Sequence, residues 1–182
     1  MSLWSGRTFC AQSVKGMPVM MAGSHVVMGA ALWVAVAKLG GGNPADPQAL
    51  AAAALGALLP DIDHPQSWAG RKMRAISVPL SLVVGHRGVT HSAIAVAAGL
   101  ALLLLLGTGW MAAPVVVGYL SHLLADALTP SGVPLLWPSR RRFTLNLCRT
   151  GSAVEIALVA AVGVAAGWAA GVDFTALPRP RL

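Results

Sequence analysis

The sequence predicts an all-α protein, a polytopic membrane bundle of about five spanning helices with one short re-entrant or interfacial segment. Hydrophobic residues make up 56% of its 182 residues and charged residues only 10%. The mean hydropathy of +0.70 is far above that of an ordinary soluble domain. Small residues crowd the apolar stretches in runs such as LAAAALGALL and VAAVGVAAG. Such residues let helix backbones approach closely in lipid, so a compact helical bundle is expected.

Five apolar stretches approach the length of about 20 residues that a helix needs to cross a bilayer. They run from Ala22 to Leu39, Pro44 to Pro60, His91 to Trp110, Ala113 to Leu128 and Ala153 to Val172. The second and fourth are short, so thinning of the bilayer, tilt or packing must help them. Residues 75–84, AISVPLSLVV, are too few to cross and contain Pro79. This segment is therefore expected to be re-entrant or interfacial.

Residues 21–172 form one predicted helical membrane domain, followed by a short tail over residues 173–182. Residues 1–20 do not resemble a signal peptide, because Arg7 and Lys15 interrupt them and no small-residue cleavage site follows. They are expected to be a poorly ordered extension or a product of start-site choice. Alternative start residues are Met17, Met20 and Met21.

The distribution of Lys and Arg predicts how the helices are oriented. With a cytoplasmic N-terminus, only Lys38, Arg179 and Arg181 lie outside. The cytoplasmic set is Arg7, Lys15, Arg71, Lys72, Arg74, Arg87, Arg140, Arg141, Arg142 and Arg149. This asymmetry favours a multi-pass protein with its N-terminus in the cytoplasm. The net charge of +7 is carried in short clusters beside apolar segments, which favours membrane lipids over nucleic acid as partners.

Nine ionisable side chains fall at the predicted cytoplasmic ends of the spans. They are His25, Asp61, Asp63, His64, His86, His91, His122, Asp126 and Glu155. A charged group costs about 2.5–3.5 kcal/mol at the centre of a membrane helix, so such groups are functional candidates. Asp61 and Asp126 end their helices, where the helix dipole disfavours negative charge. A compensating cation, such as a metal ion, is therefore expected beside them.

Residue type and spacing favour a metal site built from nitrogen and oxygen ligands. The two cysteines, Cys10 and Cys148, form no CxxC pair. HLLAD places His122 and Asp126 four residues apart, on one face of a helix. Without cysteine, such a set suits Zn²⁺, Mn²⁺ or Fe²⁺ better than Ca²⁺. The eight His and Asp residues exceed the three or four protein ligands of one catalytic zinc, so either two ions bind or some residues orient ligands or transfer protons.

The segments SHVVMG, LLPDIDHP, GHRGVTHS, SHLLADALTPSGVPLLWP and TGSAVE resemble a bacterial family in order and spacing. This family comprises inner-membrane proteins classed as membrane-bound metal-dependent hydrolases of the YdjM/YbcI type. The resemblance covers about residues 24–160. It implies a metal-dependent hydrolase in the bacterial plasma (inner) membrane. Its motif positions correspond to His25, Asp61, Asp63, His64, His86, His91, His122 and Asp126.

Each of these residues also has a simpler structural interpretation. Asp61, Asp63 and His64 could form a solvated loop, and His86 and His91 could be interfacial helix caps. The pair of His122 and Asp126 could be hydrogen-bonded inside the bundle. Glu155 could only complement the dipole of its helix, and Arg87 could be one more cytoplasmic basic residue rather than a clamp on a developing anion.

The function predicted from these observations is hydrolysis at the cytoplasmic membrane edge, with one or two divalent metal ions, Zn²⁺ ahead of Mn²⁺ or Fe²⁺. Asp63 or Glu155 would be the general base, and Arg87 would bind the developing anion. The position at the membrane favours a lipid-linked phosphoester, or else an ester or amide. Two alternatives are a transporter of divalent metals or protons, and a scaffold with a structural metal. The oligomeric state is not predicted.

Overall fold

The computed structural model describes residues 21–84, 88–139, 141–149 and 151–173. Within these ranges the chain forms seven α-helices and no β-strand, which confirms the all-α class. The helices are α1 Met21–Leu39, α2 Pro47–Gly56, α3 Trp68–Lys72, α4 Arg74–Val84, α5 Ala93–Leu105, α6 Gly109–Ala127 and α7 Ala153–Ala169. Two 3₁₀ turns cover Pro60–Asp63 and Val89–His91. The predicted extension, residues 1–20, and the tail beyond residue 173 lie outside the described residues.

Capping residues make two helices shorter than the predicted spans. The side chain of Asp46 accepts a hydrogen bond from the backbone N–H of Gln48 at 3.0 Å, so α2 begins at Pro47 and has only 10 residues. Ser92 caps α5, which begins at Ala93 and has 13 residues. Side-chain caps of this kind satisfy the free N–H groups of the first helical turn. Local capping therefore decides where these helices begin.

Length and composition mark one described segment, Ala22–Leu39, as able to cross a bilayer. Shorter apolar helices cover Arg74–Val83, Ala93–Leu105 and Ala153–Ala169. Helix α6 matches α1 in length, with 19 residues, but carries His122 and Asp126. Helix lengths alone therefore do not establish five spans, and that number stays a prediction.

The long helices alternate in direction relative to one end of the bundle, which we call the site end. Helix α1 starts there, because His25 Nε2 lies 3.8 Å from an oxygen of Asp126 in the last turn of α6. Helix α5 also starts there, directly after His91, whose Nε2 lies 3.5 Å from Asp126. At the opposite end, Lys38 Nζ donates a hydrogen bond to the Ala169 carbonyl at 3.0 Å. Helices α1 and α7 thus run parallel, and α6 runs against them.

Helices α2 and α6 pack backbone against backbone. They run in the same direction, because Gly118 lies at Ala53 and His122, four residues later, lies at Ala57. A Cβ atom on Gly118 would lie 1.9 Å from the carbonyl oxygen of Ala53, and one on Gly56 would lie 2.2 Å from that of Val115. Only glycine leaves room for such contacts. Because α1 also packs on both helices, the core of the bundle lies where α1, α2 and α6 meet. The small residues predicted to allow close helix packing do so here.

Replacing Gly118 by Ala should destabilise the protein by about 1–3 kcal/mol, because overpacking a close contact forces the helices apart. The free energy of unfolding in detergent measures this effect. Gly99→Ala in α5 is the matched control, since a Cβ there would meet no atom within 4 Å. Equal stability of the two variants would contradict the close packing of α2 on α6.

The segment after α6 folds back over the site end. The N–H groups of Leu145 and Leu147 donate hydrogen bonds to the carbonyls of Ala127 and Leu128, at 2.7 and 2.8 Å. Val133 pairs with Phe143 in a single antiparallel bridge and is fully buried. The bonds from Leu145 and Leu147 satisfy carbonyls that the end of α6 would otherwise leave free. The segment therefore closes the end of α6 that carries Asp126.

Helices α5 and α7 bury none of their residues within the described protein, although both are strongly apolar. The exposed large side chains on and beside them are Ile94, Leu100, Leu102, Leu104, Leu105, Leu106, Val154, Ile156, Leu158, Val164 and Trp168. Contiguous apolar surface of this kind marks contact with a membrane or another protein.

Candidate metal centre

Helix α6 provides the centre of the site through His122 and Asp126. Both side chains are buried, at 0% and 1% relative exposure. Because they lie four residues apart, they share one face of the helix, and His122 Nε2 lies 3.7 Å from Asp126 Oδ2. The arrangement expected from HLLAD is therefore present, and both groups face the interior of the bundle.

His91 reaches the same carboxylate from the 3₁₀ turn before α5. Its Nε2 atom lies 3.5 Å from Asp126 Oδ2, and the side chain is fully buried. The hydroxyl of Tyr119, one turn before His122, donates a hydrogen bond to the carbonyl of Thr90. This bond fastens the turn that carries His91 to α6, so His91 is held at the carboxylate by α6 itself.

Helix α1 adds a third imidazole. The ring of His25 stacks on that of His122, with centroids 3.8 Å apart and planes inclined by 17°. His25 Nε2 lies 3.8 Å from Asp126 Oδ1, so the two oxygens of Asp126 face different histidines. Asp61, from the turn after α2, places Oδ1 3.8 Å from His122 Nε2. Side chains from four parts of the fold thus converge around Asp126.

Two groups of three ligands can be drawn from these residues. One contains His91, His122 and Asp126, and the other contains His25, Asp61 and His122. The N···O distances of 3.5–3.8 Å exceed the usual hydrogen-bond length of about 2.7–3.2 Å. Two ligands bound tetrahedrally at about 2.1 Å from a zinc ion would be about 3.4 Å apart. The donor set and its spacing therefore fit a divalent cation.

The tautomer of His122 is fixed by a backbone contact. Its Nδ1 lies 2.7 Å from the carbonyl oxygen of Ala57, at the end of α2. Because a carbonyl oxygen can only accept, Nδ1 must carry a proton, and in the neutral ring that binds a metal Nε2 then carries the lone pair. The lone pair then points towards Asp61 and Asp126, as metal-binding imidazoles require.

A hydroxyl group fixes the tautomer of His91 in the same way. The Thr90 hydroxyl donates its only proton to Asp63 Oδ2 and lies 3.0 Å from His91 Nδ1. Thr90 can therefore only accept from Nδ1, which must carry a proton, and in the neutral ring Nε2 of His91 then carries the lone pair. Asp63 acts on His91 through Thr90, at the ring edge opposite Asp126.

Replacing Thr90 by Val should lower metal affinity by about 10- to 100-fold, because outer hydrogen-bond partners of metal-binding histidines have effects of this size. A competition titration with a chelating dye measures the affinity. Thr108→Val is the control, since the Thr108 hydroxyl bonds to the Leu103 carbonyl in the turn between α5 and α6. Unchanged affinity in the Thr90 variant would contradict the role of this hydroxyl.

The other predicted site residues lie around this cluster or outside the described residues. His64 follows the turn that carries Asp61, and its Nδ1 accepts a hydrogen bond from the N–H of Gln66 at 3.1 Å. It belongs to neither group of three ligands among the described residues. His86 and Arg87 lie outside the residues that the structure describes, so their predicted roles stay predictions.

Glu155 combines helix capping with a position beside the cluster. Its Oε2 accepts a hydrogen bond from the N–H of Gly151 at 2.5 Å, and its own N–H donates to Ser152 Oγ at 3.2 Å. These bonds resemble a capping box at the start of α7, with the Glu side chain bonded to Gly151, one residue before the N-cap Ser152. The same residue lines a cleft together with His25 and Asp126, which places it beside the cluster.

Sequence reasoning did not identify Thr90 and Tyr119. Thr90 lies within GHRGVTH, but no feature of that motif distinguishes its hydroxyl from that of any loop threonine. Tyr119 gave a weak signal, because it is the only tyrosine in the chain and lies three residues before His122. Both roles depend on the turn before α5 packing against α6.

Comparison with known proteins agrees with the motifs and their order. The sequence matches the family model described as YdjM inner membrane protein over residues 20–178. It is 52% identical over 101 residues to inner membrane protein YdjM of Escherichia coli (strain K12) and to that of Shigella flexneri. The matches cover 52% of this chain and 52% of each relative. The chain thus spans about half the length of these curated relatives.

A third relative covers more of the chain. Uncharacterized protein YvsG of Bacillus subtilis (strain 168) is 37% identical over 147 residues, which are 78% of this chain and 89% of that protein. No solved structure matches significantly. The family match includes all of the residues that converge around Asp126. The chain therefore belongs to the YdjM inner membrane protein family.

Proposed function

We propose that this protein is a multi-pass, metal-dependent hydrolase with its centre at the cytoplasmic membrane edge. Its substrate would be a lipid-linked phosphoester or, failing that, an ester. The observation that carries the proposal is the buried Asp126 carboxylate, whose Oδ2 atom faces the Nε2 atoms of His91 and His122 at 3.5 and 3.7 Å. Hydrogen bonds on the opposite ring edges direct both lone pairs towards that oxygen.

The geometry supports one ion rather than two within this cluster. Both groups of three ligands include His122, and its Nδ1 is committed to the Ala57 carbonyl. A single nitrogen lone pair cannot bind two ions at once. One ion would therefore take three or four of its ligands from His25, Asp61, His91, His122 and Asp126, and this set of imidazoles and carboxylates favours Zn²⁺. One equivalent of metal per chain is the expected stoichiometry.

The chemistry supplied by such an ion is Lewis-acid polarisation of the bond to be cleaved and a lowered pKa for a water molecule. The residues of the chain would bind the ion, orient its histidine ligands and remove a proton from the water molecule. Glu155, which lines the cleft beside His25 and Asp126, is the better candidate for the general base. Asp63 is fully buried and hydrogen-bonded to Thr90, so its proposed role is to orient His91.

The alternation of helix directions supports several crossings of the membrane. Helices α1, α5 and α7 lead away from the site end, whereas α2 and α6 lead towards it, as successive spans must. The large exposed apolar side chains of α5 and α7 would contact lipid rather than water. Of the described basic residues, only Lys38 is near the end opposite the site. The others follow α2 or α6, which both end at the site end; they are Arg71, Lys72, Arg74, Arg141, Arg142 and Arg149. The positive-inside rule then favours a cytoplasmic site.

Purified protein reconstituted in liposomes and loaded with zinc tests the proposal. We expect release of phosphate or alcohol from a panel of lipid phosphoesters and esters, and no release by the His91→Ala variant. Metal uptake into the liposome lumen, measured on the same samples, separates hydrolysis from transport. Metal uptake without hydrolysis would contradict the proposal and favour a transporter. Bound metal with neither activity would favour a structural role.

A further inference from the structure

A cleft opens beside the cluster between the first turns of α1 and α7 and the last turn of α6. Its polar wall contains His25, Asp126 and Glu155, and Cys148 lies on the segment that closes the site end. The cleft continues past these groups between apolar side chains of α1 and α7. It therefore reaches from the candidate metal ligands into the apolar part of the bundle.

The polarity of the cleft changes within one helical turn. Helices α1 and α7 run parallel, so higher residue numbers lie deeper from the site end on both. Met28 follows His25 by three residues, and Leu158 and Val159 follow Glu155 by three and four. At a rise of 1.5 Å per residue, the apolar layer lies about 5 Å below the polar one. The polar side chains of the cleft thus lie at the site end, and its apolar side chains lie deeper in the bundle.

The apolar layer is open towards the outside of α7. Leu158 lines the cleft, yet 41% of its surface is exposed, on a helix that also exposes Val154 and Val164. The surface of α7 that would contact lipid is therefore continuous with the interior of the cleft. A hydrocarbon chain could pass between them without crossing a polar surface.

We propose that this cleft binds the hydrocarbon chain of an anionic, lipid-linked phosphoester substrate, a proposal that rests on the proposed function. The hydrocarbon chain lies between α1 and α7 against Met28, Leu158 and Val159, and the phosphoester lies at the site end of the cleft, beside the candidate metal ligands His25 and Asp126. Arg141, Arg142 and Arg149, on the segment that folds over the site end, match the charge of such a headgroup. The substrate then reaches the cluster sideways from the bilayer, rather than from the aqueous phase.

Alkylation of Cys148 tests this proposal, because Cys148 lines the cleft and is half-buried. The background variant Cys10→Ser leaves it as the only thiol. The protein is placed in nanodiscs of phosphatidylcholine, and its reaction with N-ethylmaleimide is followed with hexadecyl phosphate or inorganic phosphate added. We expect hexadecyl phosphate to slow the reaction about tenfold at ten times its dissociation constant, and inorganic phosphate at the same concentration to have no effect.

Two variants of α7 locate the protected site. Val159→Trp fills the apolar layer and should abolish protection by hexadecyl phosphate. Val164→Trp adds the same ring to an exposed position of the same helix and should leave protection unchanged. Equal protection by inorganic phosphate would overturn the proposal, because the headgroup alone would then account for binding. Absence of protection by either compound, in protein that retains its metal, would also overturn it.

Hydrolysis measured on the same samples separates this proposal from the proposed function. Hydrolysis of lipid phosphoesters without protection of Cys148 would reject the cleft but keep the hydrolase. Protection that requires the apolar layer, without hydrolysis of any member of the panel, would keep the lipid-binding cleft and reject the hydrolase.

Discussion

Replacing Asp126 by Asn should remove the bound metal from the purified protein. The carboxylate faces His25 through one oxygen, and His91 and His122 through the other. A neutral amide of the same size keeps the packing but removes the negative charge that compensates a buried cation. We expect metal affinity to fall by more than about 100-fold, which exceeds the effect of losing an outer hydrogen-bond partner. Elemental mass spectrometry of protein purified without chelator measures the bound metal.

Asp46→Asn is the matched control for this experiment. Asp46 caps α2 at its N-terminal end, away from the site end, and Asn caps helices as well as Asp does. This variant should keep one equivalent of metal. If both variants retain the metal, or if folded wild-type protein binds none after incubation with zinc, manganese and iron, the proposed metal centre is rejected.

Replacing Glu155 by Gln should abolish most of the hydrolysis while leaving the metal bound. Glu155 belongs to neither group of three ligands, but it lines the cleft beside two of their members. Removal of a general base lowers kcat by about 10²- to 10⁴-fold. The rate is measured with the lipid phosphoester or ester that the wild-type protein hydrolyses fastest, and metal content is measured on the same samples.

The Gln variant distinguishes a role of Glu155 in helix capping from a role as general base. Gln at the third position of a helix supports a capping box as Glu does, so the contacts of α7 with Gly151 and Ser152 should persist. Unchanged kcat would show that Glu155 only caps the helix. In that case Asp63→Asn becomes the next variant to test, although the contact of Asp63 with Thr90 makes loss of metal the expected result there.

The sequence by itself determined the helical class and the pairing of His122 with Asp126. These follow from short-range physics, because a long apolar stretch in lipid satisfies its backbone hydrogen bonds within a helix and a four-residue spacing places two side chains on one helix face. The helix boundaries were harder to predict from the sequence, because α2 and α5 begin where Asp46 and Ser92 cap them. A capping residue inside an apolar stretch is easily overlooked when the stretch is measured against the thickness of a bilayer.

Only the tertiary structure decided which polar groups meet. PDIDHP offers three candidate ligands within four positions, yet Asp61 turns towards His122 and Asp63 towards Thr90. His64 follows on the next bend, where it accepts from Gln66. A 3₁₀ turn sends successive side chains in different directions, and the packing of that turn on α6 selects among them. Asp63 thus orients a histidine, a role that depends on a hydroxyl 27 positions away in sequence and is not encoded in its own motif.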